Sequence, residues 1–255
     1  MAAISMRDFL DLAAFCAPWR DECGLLMSCT FAISESRSET VETLEIAVCV
    51  FTDAQLLDYG GPLDLFGFLV KENLPKYNMP MPPKLLKLVY VGPTKSPIQP
   101  TSGPPILPHE TYDEALASGK KYDVVFVPGE VVPPSLVKFV AAQFHCTKYF
   151  LSVCTGAWVV AQAGVLEGRR ATTNKAVFRT VKASTSKDID WVTHARWVVD
   201  GTYWSSSGVS AGLDMAAAWL EHIVGHDVAQ RILAGAEYTP AQQDDDPWAK
   251  YYGLE

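Results

Sequence analysis

The chain has 255 residues, 49% of them apolar and 20% charged, with 21 Lys and Arg against 29 Asp and Glu for a net charge of −8. That much apolar material supplies a sizeable core and excludes global disorder. The negative balance argues against a general binder of nucleic acid or of an anionic membrane. No apolar run approaches the roughly 18 residues of a membrane span. Six cysteines without a C-x-x-C pair suggest neither a disulfide scaffold nor a zinc site.

Residues 1–43 read as an N-terminal extension, a short helix followed by a flexible lead-in rich in Ser and Glu. Early acidic residues (Asp8, Asp11, Asp21, Glu22) and the lack of a long apolar stretch fit neither a secretory signal nor a transit peptide. The expected setting is cytoplasmic, with reduced thiols and with Cys16, Cys23 and Cys29 incidental. A catalytic domain is expected over 44–255.

From Leu44 the pattern sharpens. Leu44 to Phe51 is a continuous apolar run, as in a strand buried on both faces. A helix is predicted from Pro62 to Val70, with Pro62 near its first turn. Leu85 to Val91 is a second strand, and Gly92 to Pro108 a Pro- and Gly-rich loop. A short helix is expected at Asp113 to Ser118 and a third buried strand at Tyr122 to Pro128. Pro134 to Phe144 follows as a helix, Tyr149 to Val153 as a strand and Gly156 to Ala163 as a helix. Late strands are predicted at Trp191 to Val199 and Thr202 to Ser205, and late helices at Ala211 to Val224 and Asp227 to Leu233. Alternating strands and helices imply an α/β fold with a mostly parallel sheet and helices on both faces. Ligands bind such sheets at the carboxyl ends of the strands.

Two stretches carry chemistry. In Phe150-Leu-Ser-Val-Cys-Thr-Gly-Ala-Trp158 a strand runs into Cys154 and a helix starts just behind it. Ser152-Val-Cys-Thr-Gly156 has the small-x-nucleophile-x-Gly shape of a nucleophile elbow. The nearby helix N-terminus is expected to favour the thiolate, the nucleophilic form. A buried structural cysteine fits the same spacing. The second stretch, Phe51 to Pro62, reaches the same end of the sheet and holds Asp58 between Leu57 and Tyr59. A carboxyl in such apolar company tends to stay protonated and able to donate. The alternative is that Asp58 merely caps the helix starting near Pro62. Gly60 and Gly61 would let backbone approach a ligand.

Together these stretches resemble the ThiJ/PfpI superfamily, of the class I glutamine amidotransferase-like fold, and within it the isocyanide (isonitrile) hydratases. The resemblance covers about residues 44–240. It rests on Leu57-Asp-Tyr-Gly-Gly-Pro62, Phe126-Val-Pro-Gly129, Ser152-Val-Cys-Thr-Gly156, Gly164-Val-Leu-Glu-Gly-Arg-Arg-Ala-Thr-Thr173 and Ser207-Gly-Val-Ser-Ala-Gly-Leu-Asp214. It implies a flavodoxin-like three-layer sandwich, a homodimer, no cofactor and a small-molecule substrate. It also implies Cys154 as nucleophile, Asp58 as its acid/base partner and Thr155 beside them. Gly129, Ser207, Gly208 and Val209 join Gly60 and Gly61 as expected substrate-binding positions, with the N–H groups of Gly208 and Val209 aimed at Cys154.

Two stretches depart from the hydratases. Asn174-Lys175 stands where they tend to have His-Trp, and Ser205-Ser206-Ser207 stands where they are glycine-rich. The amidotransferase, protease-like and glyoxalase-like branches need a histidine near the thiol. Thr155 and Asn174-Lys175 occupy its two usual places, and His194, His222 and His226 read as structural or surface residues. The expectation is a hydro-lyase adding water to a carbon–nitrogen multiple bond through a Cys154 thioimidate. A glyoxalase-type enzyme on small dicarbonyls and a non-enzymatic redox sensor using Cys154 are the alternatives. Asp244-Asp245-Asp246 reads as a solvated turn.

Overall fold

The computed structural model describes residues 41–130 and 133–255. The expected N-terminal extension lies outside the described residues apart from positions 41–43, and Glu42 and Thr43 already belong to the first strand.

A seven-stranded sheet forms the centre of the described residues, in the order β3-β2-β1-β4-β5-β9-β8. Its strands are β1 (Glu42–Cys49), β2 (Lys84–Gly92), β3 (Glu110–Thr111), β4 (Val124–Val127), β5 (Tyr149–Ser152), β8 (Trp197–Asp200) and β9 (Tyr203–Ser206). Every pairing is parallel except that of β8 with β9. Two further strands, β6 (Arg170–Ala171) and β7 (Asp190–Trp191), pair separately. All four residues of β4 are buried, as in a strand covered on both faces. One set of helices comprises α1 (Leu56–Phe66), α6 (Ala211–Val224) and α7 (His226–Gly235). The other comprises α2 (Tyr112–Ala117), α3 (Pro134–Gln143) and α4 (Gly156–Gln162). Within each set, consecutive helices pack on one another. This is the expected α/β sandwich. Its core includes Phe66, whose ring lies 5.1 Å from Trp219 on α6 and 6.1 Å from Phe126 on β4.

Sequence order leaves β1 in one direction for β2 and in the other for β4, so a crevice opens at the carboxyl ends of β1 and β4. Register pairs Val48 with Phe126 and Val127 with Ser152. The segments after β1, β4 and β5 therefore emerge side by side.

Two elements differ from the sequence reading. Helix α1 starts at Leu56 and carries Pro62 in its interior. Its first donors find distant acceptors: Leu56 N–H bonds Thr101 Oγ1 at 3.2 Å and Gln55 N–H bonds the Gly129 carbonyl at 3.3 Å. Packing of Phe66 and Leu63 outweighs the one helix bond that Pro62 forfeits. The predicted strand Trp191 to Val199 is also broken. Ala195 N–H goes to Asp246 Oδ2 at 3.1 Å and Arg196 N–H to the Gln243 carbonyl at 2.8 Å, so the C-terminal segment takes the bonds a ladder would need. His194 accordingly sits in a loop, bonded to Glu255 and to the Asp244 carbonyl. The unforeseen helices are α5 (Phe178–Ser184) and α8 (Pro247–Tyr251).

Candidate active site

Strand β5 delivers the chain to Cys154, which adopts φ = 59°. A non-glycine residue in this left-handed region costs roughly 1–2 kcal/mol. Surrounding bonds hold it there. Cys154 N–H reaches the Ser207 carbonyl at 3.0 Å, and Thr173 Oγ1 donates to the Cys154 carbonyl at 2.9 Å. Gly156 is required behind it, because a Cβ there would lie 2.1 Å from the Val127 carbonyl oxygen. The elbow expected from the sequence is thus present, and its thiol is 3% exposed.

Asp58 lies in the first turn of α1 and is fully buried. It does not cap a helix beginning at Pro62. Its Oδ2 accepts the Gly129 N–H at 2.8 Å, while Oδ1 has no full hydrogen-bond partner. The Cys154 thiol approaches this carboxyl. Burial pushes the carboxyl up to about 7, reinforced by the Glu130 charge and opposed by the Gly129 N–H and the thiol.

The sulfur is surrounded by donors. Thr155 N–H and Val209 N–H point at it, and Asn174 Nδ2 donates to Sγ at 3.2 Å. Burial and the Asp58 carboxylate nonetheless push the thiol up to about 11, against the pull of those three groups. The helix behind Cys154 therefore does not make it a low-pKa thiolate as expected: desolvation of a buried charge outweighs nearby dipoles. Burial thus favours the protonated form of both groups, and the N–H donors at the sulfur work against it for the thiol.

The remaining expected site residues divide. Gly129 is needed for closeness, since a Cβ on it would meet Thr155 Oγ1 at 2.6 Å and Cys154 Cβ at 2.9 Å. Thr155 Oγ1 accepts the Glu130 N–H at 2.7 Å, so it fixes the loop after β4, and no hydrogen bond joins it to Asp58. Ser207 supplies the carbonyl under Cys154, and Gly208 packs on Asn174, where a Cβ would lie 3.0 Å from Nδ2. Val209, at φ = 24°, turns its N–H to the sulfur. Gly60 and Gly61 lie inside α1. Gly61 lets that helix close on Leu213 of α6, with a Cβ there 3.2 Å from Leu213 Cδ1. A Cβ on Gly60 would meet only Leu56 of the same helix, at 3.8 Å.

Asn174 is the residue whose contact with Cys154 the sequence did not give. Its Oδ1 accepts the Ala176 N–H at 2.9 Å, which caps a single helical turn and aims the amide N–H group at Sγ. Its spacing of twenty residues from Cys154 was the available signal. Lys175 and Asp246 were also unforeseen. Both are buried and pair at 3.2 Å, so the last aspartate of the acidic run is not solvated. Ser205 and Ser206 bond inward, Ser205 Oγ accepting the Thr172 N–H at 2.9 Å.

A cavity of about 340 Å3 adjoins this cluster, lined in part by Asn174, Ser207 and Val209. A second depression of about 580 Å3, walled by residues such as Asp64, Lys71 and Tyr90, includes none of the groups around Cys154.

A parallel α/β sheet with an elbow cysteine and a buried carboxyl at its carboxyl edge defines a class of thiol-bearing proteins on an amidotransferase-like fold. This chain belongs to the DJ-1/PfpI family, whose model matches residues 45–222. It is similar to the isonitrile hydratase of Pseudomonas putida, with 30% identity over 211 residues that span 79% of this chain and 82% of that one. A ThiJ/PfpI family protein from Pseudomonas syringae shares the fold at a TM-score of 0.62 and 22% identity, covering 81% of this chain and 80% of the other. Drosophila melanogaster DJ-1beta does so at a TM-score of 0.62 and 16% identity, covering 77% and 99%.

Proposed function

We propose that this protein hydrates a carbon–nitrogen multiple bond, converting an isocyanide R–NC and water into the N-formamide. The observation that carries this reading is the pairing of a fully buried Asp58 carboxyl with a buried Cys154 thiol that sits among N–H donors. An isocyanide carbon is both electrophilic and basic, so it needs a nucleophile and a proton at one atom. Asp58 as carboxylate takes the thiol proton and returns it to that carbon while sulfur adds, giving R–N=CH–S–Cys154. Water then adds across C=N, its hydroxyl to carbon and a proton to nitrogen, with Asp58 relaying. Collapse of the adduct expels sulfur, returns its proton and releases R–NH–CHO. The N–H groups of Thr155, Val209 and Asn174 stabilise the departing thiolate.

Asn174 also bears on the dicarbonyl alternative. The glyoxalase-like branch calls for a histidine some twenty residues after the thiol, and Asn174, which stands there, faces Sγ with an amide nitrogen that only donates. The similarity to the Pseudomonas putida isonitrile hydratase adds support for the hydratase reading.

The test is formamide formation from a panel of alkyl and aryl isocyanides, with Cys154→Ala as blank. Turnover that disappears in Cys154→Ala while its melting curve stays cooperative is the expected result. Activity retained by Cys154→Ala overturns the scheme.

A further inference from the structure

The cavity beside Cys154 has a wall the reaction scheme leaves unused. Asn174 and Val209, both donors to Sγ, belong to its lining and place it one residue away from the sulfur. Trp248 and Tyr252 line it too, and both rings are left open, at 51% and 39% exposure. The short helix α8 that leads from one to the other spans five residues, too few to hold its shape alone.

That segment is fastened at several points. Arg179 donates to the carbonyls of Tyr252 and Gly253. His194 bonds Glu255 and the Asp244 carbonyl. Asp246 accepts the Ala195 N–H, pairs with Lys175 and caps α8 through the Trp248 N–H at 3.2 Å. The backbone that carries the two rings is therefore held in place, which lowers the cost of ordering them around a ligand.

Charge at the cavity is already matched. Lys175 pairs with Asp246, and Arg196 with Asp214, whose second oxygen accepts from Tyr238 and the Ala241 N–H. What the cavity offers a ligand is aromatic surface with little unbalanced charge. Its volume of about 340 Å3 suits one ring system with a short attachment.

We propose that this cavity is the subsite for the substituent of the substrate, and that it selects an uncharged aryl or heteroaryl group packed on Trp248 and Tyr252. The reacting group itself rests on the hydratase reading; the place of the subsite and its aromatic preference do not.

Alkylation separates the two. Iodoacetamide and 2-iodo-N-phenylacetamide each transfer a carbon to sulfur and release iodide, with no hydration step. Their rates at Cys154, followed by peptide mapping and divided by their rates with glutathione, report access and preference alone. The phenyl reagent is expected to gain about three- to tenfold, the range of one good aromatic contact. Trp248→Ala removes most of that gain and leaves the iodoacetamide rate within about twofold, and Trp248→Phe restores it. No phenyl preference in the wild-type chain, or a preference untouched by Trp248→Ala combined with Tyr252→Ala, overturns the subsite. Phenyl and cyclohexyl isocyanide, matched in size, are assayed alongside. Phenyl turned over better supports the subsite, and cyclohexyl turned over better refutes it. No formamide from either, with the alkylation preference intact, sinks the hydratase reading and keeps the aromatic subsite.

Discussion

Replacing Asp58 by Asn should make the folded protein more stable, and increasingly so as pH rises. Asp58 is fully buried, and burial pushes its carboxyl from an ordinary 3.8 up to about 7. The folded state thus holds its proton between those values while the unfolded chain has lost it, and stability falls as pH climbs through that window. Just over three pKa units correspond to about 4 kcal/mol once pH exceeds 7. At pH 5 the penalty is about 2 kcal/mol and at pH 8 about 4 kcal/mol. An asparagine avoids the charge, and its oxygen can still accept the Gly129 N–H. Urea titrations of both proteins at the two pH values should show the advantage of Asp58→Asn growing by roughly 2–3 kcal/mol from pH 5 to pH 8. Parallel pH profiles would refute the reasoning, because Asp58 would then ionise as easily folded as unfolded. The same variant should lose turnover, a trade between stability and activity common at such sites.

Other perturbations follow from the same geometry. Asn174→Asp keeps the acceptor for the Ala176 N–H but sets a carboxylate against Sγ. The thiol, already pushed up to about 11, should rise further, and iodoacetamide alkylation of Cys154 at pH 8 should slow by about tenfold or more. An unchanged rate would show that the amide does not act on the sulfur. Gly129→Ala would place a Cβ 2.7 Å from the Thr155 nitrogen. A stability loss of about 1–3 kcal/mol in thermal melts and a collapse of turnover are expected. Lys175→Met strands the buried Asp246 carboxylate and should cost about 3–5 kcal/mol, whereas adding Asp246→Leu should recover part of it. Denaturant midpoints of the single and double variants decide that point.

The sequence by itself determined the sheet and the elbow that carries Cys154. Runs such as Val124–Val127 are apolar throughout because both faces are covered, and Ser152 to Gly156 shows its sharp turn in small residues. Both signals are local: hydrophobic period and backbone space are properties of neighbouring residues. Tertiary structure decided the rest. The start of α1 at Leu56 depends on Thr101 and Gly129, far along the chain, and so the place of Asp58 in that helix was hidden. The thiol was expected to be acidic from its helix. Burial, which only the packed fold sets, pushed it the other way. Asn174 reaches the sulfur because a single helical turn pins its carbonyl, and Asp246 leaves solvent because Lys175 waits beneath it. Hydrogen bonds and desolvation act through space, so residues distant in the chain determine them, and pattern along the chain alone does not record them.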